Sequence, residues 1–162
     1  MTFSTKPRIT PRITPRKIEI VETIFDPWKC QQDYQANVMQ GKTDFGATAS
    51  FIGTMRDFNE GDDVTSMTLE HYPKMTGKQL DNIIDEAAKK WSLLNVFIVH
   101  RVGKILPAEP IVLVTVWSSH RVDAFEACRA IMEDLKHKAP FWKQEKLKQG
   151  GSRWVEENTA GY

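Results

Sequence analysis

A dense group of residues that could bind an anion or move a proton is gathered around one predicted helix, in the stretch 118–145. It opens with Ser118-Ser119-His120-Arg121, runs through an amphipathic segment to Leu135-Lys136, and closes with Pro140-Phe141-Trp142-Lys143-Gln144-Glu145. From Lys136 to Arg153 six Lys or Arg (136, 138, 143, 146, 148 and 153) face a single acid, Glu145, although the net charge of the chain is only +1. A local excess of this kind attracts anions whatever the overall balance. A helix that begins at His120-Arg121 suits a phosphate, because free N–H groups, the macrodipole and a guanidinium all favour negative charge there. Lys136 lies roughly 85° from the centre of its helix's apolar stripe, taking ~100° per residue. Its stem can be buried at the rim of a cleft with the amine inside, where a lysine can serve as base or nucleophile. Arg56, just after a strand, and Lys143 extend the set. Taken one at a time, each residue has a simpler reading, as a snorkelling lysine or an exposed polar junction.

Hydrophobic periodicity indicates the elements that must hold these groups. Residues 17–25 read as a first strand, and 27–40 as a weaker helix with Pro27 in its first turn and Gly41 as its stop. Residues 45–54 alternate with period two, with Phe45, Ala47, Ala49 and Phe51 on one face, as in a half-buried strand. Residues 56–63 form a polar loop, and 64–72 a second alternating strand expected to pair with the first as a long hairpin. Thr76-x-x-Gln79 has the form of a capping box ahead of a helix whose stripe is Leu80, Ile83, Ile84, Ala87, Ala88 and Trp91. Strand-like 95–101 follows, with His100-Arg101 at its end expected at a surface or interface. The nearly continuous apolar run 111–117 suits a central strand covered on both faces. Ala124, Phe125, Cys128, Ile131, Met132 and Leu135 define the next helix, with Ser118 or Ser119 as its cap. An aromatic-basic hairpin about Gly150-Gly151 ends the pattern. The order predicts an α+β fold, one domain with helices packed on a mixed or antiparallel sheet.

The composition excludes several classes. A chain of 162 residues suits one domain, and 41% apolar with 27% charged residues is ordinary for a soluble protein. No run approaches the ~18–20 apolar residues of a membrane span. Cys30 and Cys128 belong to no CxxC or Cys/His cluster, so no metal site is expected, and their scarcity fits a reducing, cytoplasmic setting. No phosphate-binding glycine loop or nucleophile elbow occurs. Residues 1–17 carry five basic residues and no acid, with Pro-Arg-Ile-Thr at 7–10 and 11–14. They read as a disordered basic tail ahead of a single domain over 18–162. RNA binding would need a broad basic face with exposed stacking aromatics, whereas here the aromatics interleave with a core pattern and the net charge is near zero.

Phe51-Ile-Gly53-Thr-Met-Arg56-Asp, Asn59-Glu-Gly61, Leu69-Glu70-His71-Tyr72, His100-Arg101-Val-Gly103, Ser119-His120-Arg121, Leu135-Lys136, Pro140-Phe-Trp142-Lys143-Gln-Glu145 and Trp154 occur in one register. Together they resemble the catalytic (large) subunit family of molybdopterin synthase, over about residues 45–157. Met55 stands where that family more usually has Val. The resemblance implies an α+β sulfurtransferase of molybdenum cofactor biosynthesis that needs no metal or cofactor for this step. Its substrate would be cyclic pyranopterin monophosphate, and its sulfur donor the thiocarboxylated Gly-Gly C-terminus of a small ubiquitin-like carrier subunit. It implies a homodimer of large subunits with a small subunit at each end, a heterotetramer, and no nucleic-acid or membrane partner. Carried over position by position, the catalytic residues are Lys136 and Lys143, and the substrate-binding set adds Thr54, Met55, Arg56, His120, Arg121, Gln144 and Glu145. Phe141 and Trp142 would wall the channel for the carrier's tail. A non-catalytic module that binds a ubiquitin-like partner through the same surface is the alternative. One geometric expectation follows from the predicted helix. Arg121 and Lys136 are fifteen residues apart, roughly 22 Å at ~1.5 Å per residue, too far for one small substrate to bridge. Each site is therefore expected to be shared, with Arg56, Lys136 and Lys143 from one chain and His120 and Arg121 from its mate.

Overall fold

The computed structural model describes residues 13–156. Its larger sheet has the order β1(Arg16–Val21), β5(Asn95–Arg101), β7(Pro110–Ser118), β2(Ala47–Thr54), with β1 parallel to β5 and the other pairs antiparallel. The middle strands β5 and β7 are buried almost throughout, as the apolar run at 111–117 requires. On one face of the sheet Val96, Ile98, Val112, Val114 and Val116 pack beneath α2(Pro73–Lys90) and α3(Arg121–Lys138). On the other, Phe97, Val99, Leu113 and Trp117 meet Tyr34 of α1(Pro27–Val38), whose ring stacks on Phe97 at 4.3 Å. Asp26 caps α1 by accepting from the amides of Trp28 and Lys29. Cys128 is buried on the inner face of α3, its thiol directed at the Val114 carbonyl. Burial pushes that thiol's pKa up to about 11.

A second sheet stands at the end of the first. β4(Asp62–His71) pairs along its length with β8(Phe141–Leu147), which pairs in turn with β9(Ser152–Trp154). The other edge of β4 takes β3(Phe58–Asn59) at one end and β6(Gly103–Ile105) at the other. Met55, Val64, Met67, Leu69 and Ile105 form its small core. The domain is thus α+β with three helices on mixed and antiparallel sheets, and the expected hairpin about Gly150-Gly151 is present, both glycines at positive φ. No helix among the described residues is long and apolar enough to cross a membrane.

Several local expectations are corrected. Strands 45–54 and 64–72 are not partners: β2 covers the edge of β7, and β4 belongs to the second sheet. The apolar β7 needs a neighbour on each side, and the β2–β7 register breaks between Gly53 and Thr54, where the chain leaves for the other sheet. The 76–79 capping box does not form. α2 already begins at Pro73, so Thr76 lies within the first turn, fully buried, with its hydroxyl 3.3 Å from His71 Nδ1. Neither Ser118 nor Ser119 caps α3. Their hydroxyls donate to the Ser92 and Asp44 carbonyls, and His120 occupies the cap position without a capping side-chain bond. Phe125, assigned to the buried stripe, is 67% exposed. His100 and Arg101, expected at a surface or interface, are buried within the chain itself; Arg101 pairs with Glu109 at 2.7 Å.

The first strand starts at Arg16, one residue early, and ends at Val21, while the first helix stops at Val38, so both end short of the predicted limits. Residues 1–12 of the basic segment, with the first Pro-Arg-Ile-Thr copy, lie outside the described residues. Within them, Thr14 is buried, the Pro15 carbonyl accepts from the Val96 amide, and Arg16 bridges Asp81 and Asp85 of α2. A truncation through Arg16 should therefore be less stable than one that stops at residue 12. The difference should be about 1 kcal/mol, a loss of roughly 2–4 °C in calorimetry. Equal melting temperatures for the two truncations would contradict this packing.

Candidate active site

Strand alternation on β8 decides which of its side chains face inward. Phe141, Lys143 and Glu145 turn toward the junction of the two sheets, where Phe141 and Lys143 line a cavity of about 400 Å³. Thr54 and Arg56, at and just beyond the end of β2, reach the same cavity. Lys136 enters from the last turn of α3, beside buried Met132 and Leu135. Met67, Leu69, Ile111 and Val112 give the cavity an apolar lining. A smaller recess of about 120 Å³ continues from it past Met55 and Asn59 to Glu145. The Arg56 guanidinium is held 4.9 Å from the centre of the Phe58 ring.

Three cations thus meet in one place, and the nearby acid is fully engaged. Glu145 is only 4% exposed, accepting from Asn59 Nδ2 at 2.9 Å and from Arg153 Nε at 3.1 Å. Arg153 also reaches Asp62 at 2.7 Å and the Asn59 carbonyl at 2.8 Å. Desolvation lowers the pKa of Lys143, opposed by the charge of Glu145 and reinforced by those of Lys136 and Arg56. Its neutral amine is therefore easier to reach than that of an ordinary lysine. Among the described residues, no group of three His, Cys, Asp or Glu side chains is placed to hold a metal ion.

The remaining predicted site residues are elsewhere. Trp142 and Gln144 face away from the cavity on the opposite side of β8. Trp142 lies edge-on to Tyr72 near Trp154, and Gln144 sits beside Ser66, Thr68 and Lys146, so Trp142 does not wall the cavity. His120 and Arg121 begin α3, an uninterrupted helix of 18 residues, while Lys136 is in its last turn; neither His120 nor Arg121 lines the cavity of its own chain. Their junction is held by a close approach. The Gly46 amide donates to the Ser118 carbonyl at 3.0 Å, and a Cβ on Gly46 would lie 2.5 Å from the Ser119 oxygen. Sequence reasoning did not assign the apolar lining residues to the site, and among the polar ones it missed His100. His100 follows Val96 and Ile98 at the two-residue spacing of a strand's inward face, and that alternation is the signal that could have placed it inside.

An apolar cavity rimmed by two lysines and an arginine, with the Glu145 carboxylate tied to Asn59 and Arg153, defines an enzyme-like site for anionic reactants. The MoaE protein family model matches residues 23–138. The molybdopterin synthase catalytic subunit of Ralstonia nicotianae is 53% identical over 121 residues, covering 75% of this chain and 68% of that protein. The molybdopterin biosynthesis MoaE protein of Burkholderia ambifaria has the same fold, with a TM-score of 0.70 at 43% identity over 86% of this chain and 88% of that one. The molybdopterin synthase structure from Staphylococcus aureus gives a TM-score of 0.74 at 31% identity, covering 86% and 96%. The chain belongs to the MoaE protein family, an enzyme family of molybdenum cofactor biosynthesis.

The charges around Lys143 give a signed test. Lys136→Ala removes a neighbouring cation and should raise the pKa of Lys143 toward the ordinary lysine value, while Glu145→Gln should lower it further. Titration of isotope-labelled lysine amines by NMR would read both shifts, and a fall in Lys136→Ala would contradict the arrangement.

Proposed function

We infer that this chain is the catalytic subunit of a molybdopterin synthase, transferring sulfur from the thiocarboxylated tail of a small ubiquitin-like carrier to cyclic pyranopterin monophosphate. The observation that carries this reading is the convergence of Arg56, Lys136 and Lys143 on one largely apolar cavity, with Glu145 tied to Asn59 and Arg153. Both reactants are anions, so such a cavity suits them together. In each round the thiocarboxylate sulfur attacks an electrophilic carbon of the pterin side chain; the C–S bond forms, the C–O bond at that carbon breaks with departure of its oxygen, and the pterin is left joined to the carrier as a thioester. Water then attacks the thioester carbonyl, the acyl–sulfur bond breaks, and the carrier leaves with an ordinary carboxylate while sulfur stays on the pterin. Two rounds give the dithiolene. Lys136 and Lys143 can stabilise the tetrahedral oxyanion, and the lowered pKa of Lys143 makes it a readier proton donor than an ordinary lysine.

The pterin phosphate falls to His120 and Arg121 of a second copy of the chain. Supporting this are the length of α3, the exclusion of these residues from their own chain's cavity, and the exposed face beside them. Val122 and Phe125 on α3 and Phe51 on β2 leave apolar surface in solvent, and β2 has an open edge. An isologous dimer across this face would cover those groups and bring the start of one α3 to the end of the other. With a carrier subunit at each end, the assembly is a heterotetramer. Two free cysteines, one of them buried, agree with a cytoplasmic setting.

Mixing the protein with thiocarboxylated carrier and cyclic pyranopterin monophosphate should yield dithiolene product, and Lys136→Ala should lower turnover by about 10²-fold or more, the range for loss of an oxyanion donor. Arg121→Ala should raise KM more than it lowers kcat. Heterodimers of Lys136→Ala with Arg121→Ala should regain one working site in two. No recovery on mixing, or an active monomer, would exclude the shared site.

A further inference from the structure

The Lys and Arg side chains at the cavity can only donate hydrogen bonds, and its remaining lining is almost wholly apolar. Cyclic pyranopterin monophosphate also carries ring and exocyclic N–H groups, which need acceptors once they leave water. Thr54, on the exposed rim, can donate or accept. Among the described side chains that line the cavity, the other strong acceptor is His100, 7% exposed at the end of β5. Its Nδ1 lies 2.8 Å from the carbonyl oxygen of Arg101. A carbonyl only accepts, so Nδ1 carries the proton, and in a neutral ring Nε2 is left with a lone pair. The ring is fixed by stacking on Phe141, with centroids 4.0 Å apart and planes 11° from parallel. Nε2 has no hydrogen-bond partner among the described residues, yet it is not among the side-chain atoms sealed from solvent. The residue keeps a small exposure and is among those that line the cavity.

The geometry points to His100 as a substrate-binding residue whose Nε2 accepts a hydrogen bond from an N–H of the pterin ring system, in the cavity that Arg56, Lys136 and Lys143 also line. This rests on the function proposed above. It assigns the apolar, His100–Phe141 side of the cavity to the heterocycle and the cationic side to the reacting end. Burial supports the required charge state: it lowers the pKa of His100 to about 4, with the Arg101 carbonyl opposing and His71 reinforcing, so the ring stays neutral across the working range. The same Nδ1–H to carbonyl bond is what keeps the tautomer from inverting when substrate arrives. His71, which also lies near Phe141 at 6.1 Å, has its own Nδ1 against the Thr76 hydroxyl and does not line this cavity.

The test compares His100→Phe, which keeps an aromatic ring against Phe141 but has no acceptor, with His100→Gln, whose side-chain oxygen can accept. Equilibrium binding of cyclic pyranopterin monophosphate is measured by calorimetry on the purified protein, followed by KM and kcat with the thiocarboxylated carrier. His100→Phe should weaken pterin binding and raise KM by about tenfold, the scale of one hydrogen bond left unmade, with kcat within about twofold. His100→Gln should recover most of that loss, and carrier binding should not change in either variant. If the Phe variant does not fold, His100→Leu replaces it with the same expected loss. Wild-type affinity in the acceptor-less variant, or a Gln variant no better than it, overturns the assignment. If wild-type protein binds the pterin in a His100-dependent way yet forms no dithiolene, the proposed function falls and the acceptor stands. If wild-type protein does not bind the pterin at all, both fall.

Discussion

The carboxylate of Glu145 has to be satisfied away from water, and much of the second sheet is arranged around that demand. An ion at this depth persists only with good partners, since an unpaired buried charge costs several kcal/mol. Asn59 of β3 and Arg153 of β9 supply them, so one side chain of β8 ties together the strands beside it. Asp62 at the start of β4 then holds the far side of Arg153. Two residues along the same strand, and therefore on the same face, stands Lys143. The network fixes the register that points this amine at Lys136 and Arg56, and its negative charge partly offsets their repulsion.

The two sheets have separate tasks. The larger one, with helices on both faces, is a rigid wall that sets the ends of β2 and α3. The smaller one has little core of its own and carries the remaining cation into the gap between them. The cavity forms where the two meet, because β2 ends at Thr54 just as its register with β7 breaks. Arg56 and Lys143 come from segments almost ninety positions apart in sequence, brought together by the β4–β8 pairing rather than by any local motif.

Features governed by local periodicity were legible in the sequence. The stripe of α2, the buried run of β7 and the Gly150-Gly151 turn each follow from side-chain spacing alone. Strand pairing was not legible, since β2 and β4 both alternate and nothing local says that their partners are β7 and β8. Caps were misread for a related reason: Ser118 and Ser119 have the right chemistry, but more distant carbonyls of Ser92 and Asp44 take their hydroxyls. At the site, the cations stood out by their density. His100 did not, because a histidine at a strand end reads as surface until a second sheet is known to cover it.

The burial of Cys128 has a chemical meaning in a protein of this family. A thiol held at a pKa of about 11 beneath α3 is almost wholly protonated at neutral pH, and a protonated thiol is a poor nucleophile. Burial also raises the pKa of the half-buried Cys30. The chain's own sulfurs are thereby kept out of competition with any activated sulfur delivered to the cavity. As protonated thiols they are poor partners for acyl exchange with the donor, and the polypeptide can pass through each cycle chemically unmarked.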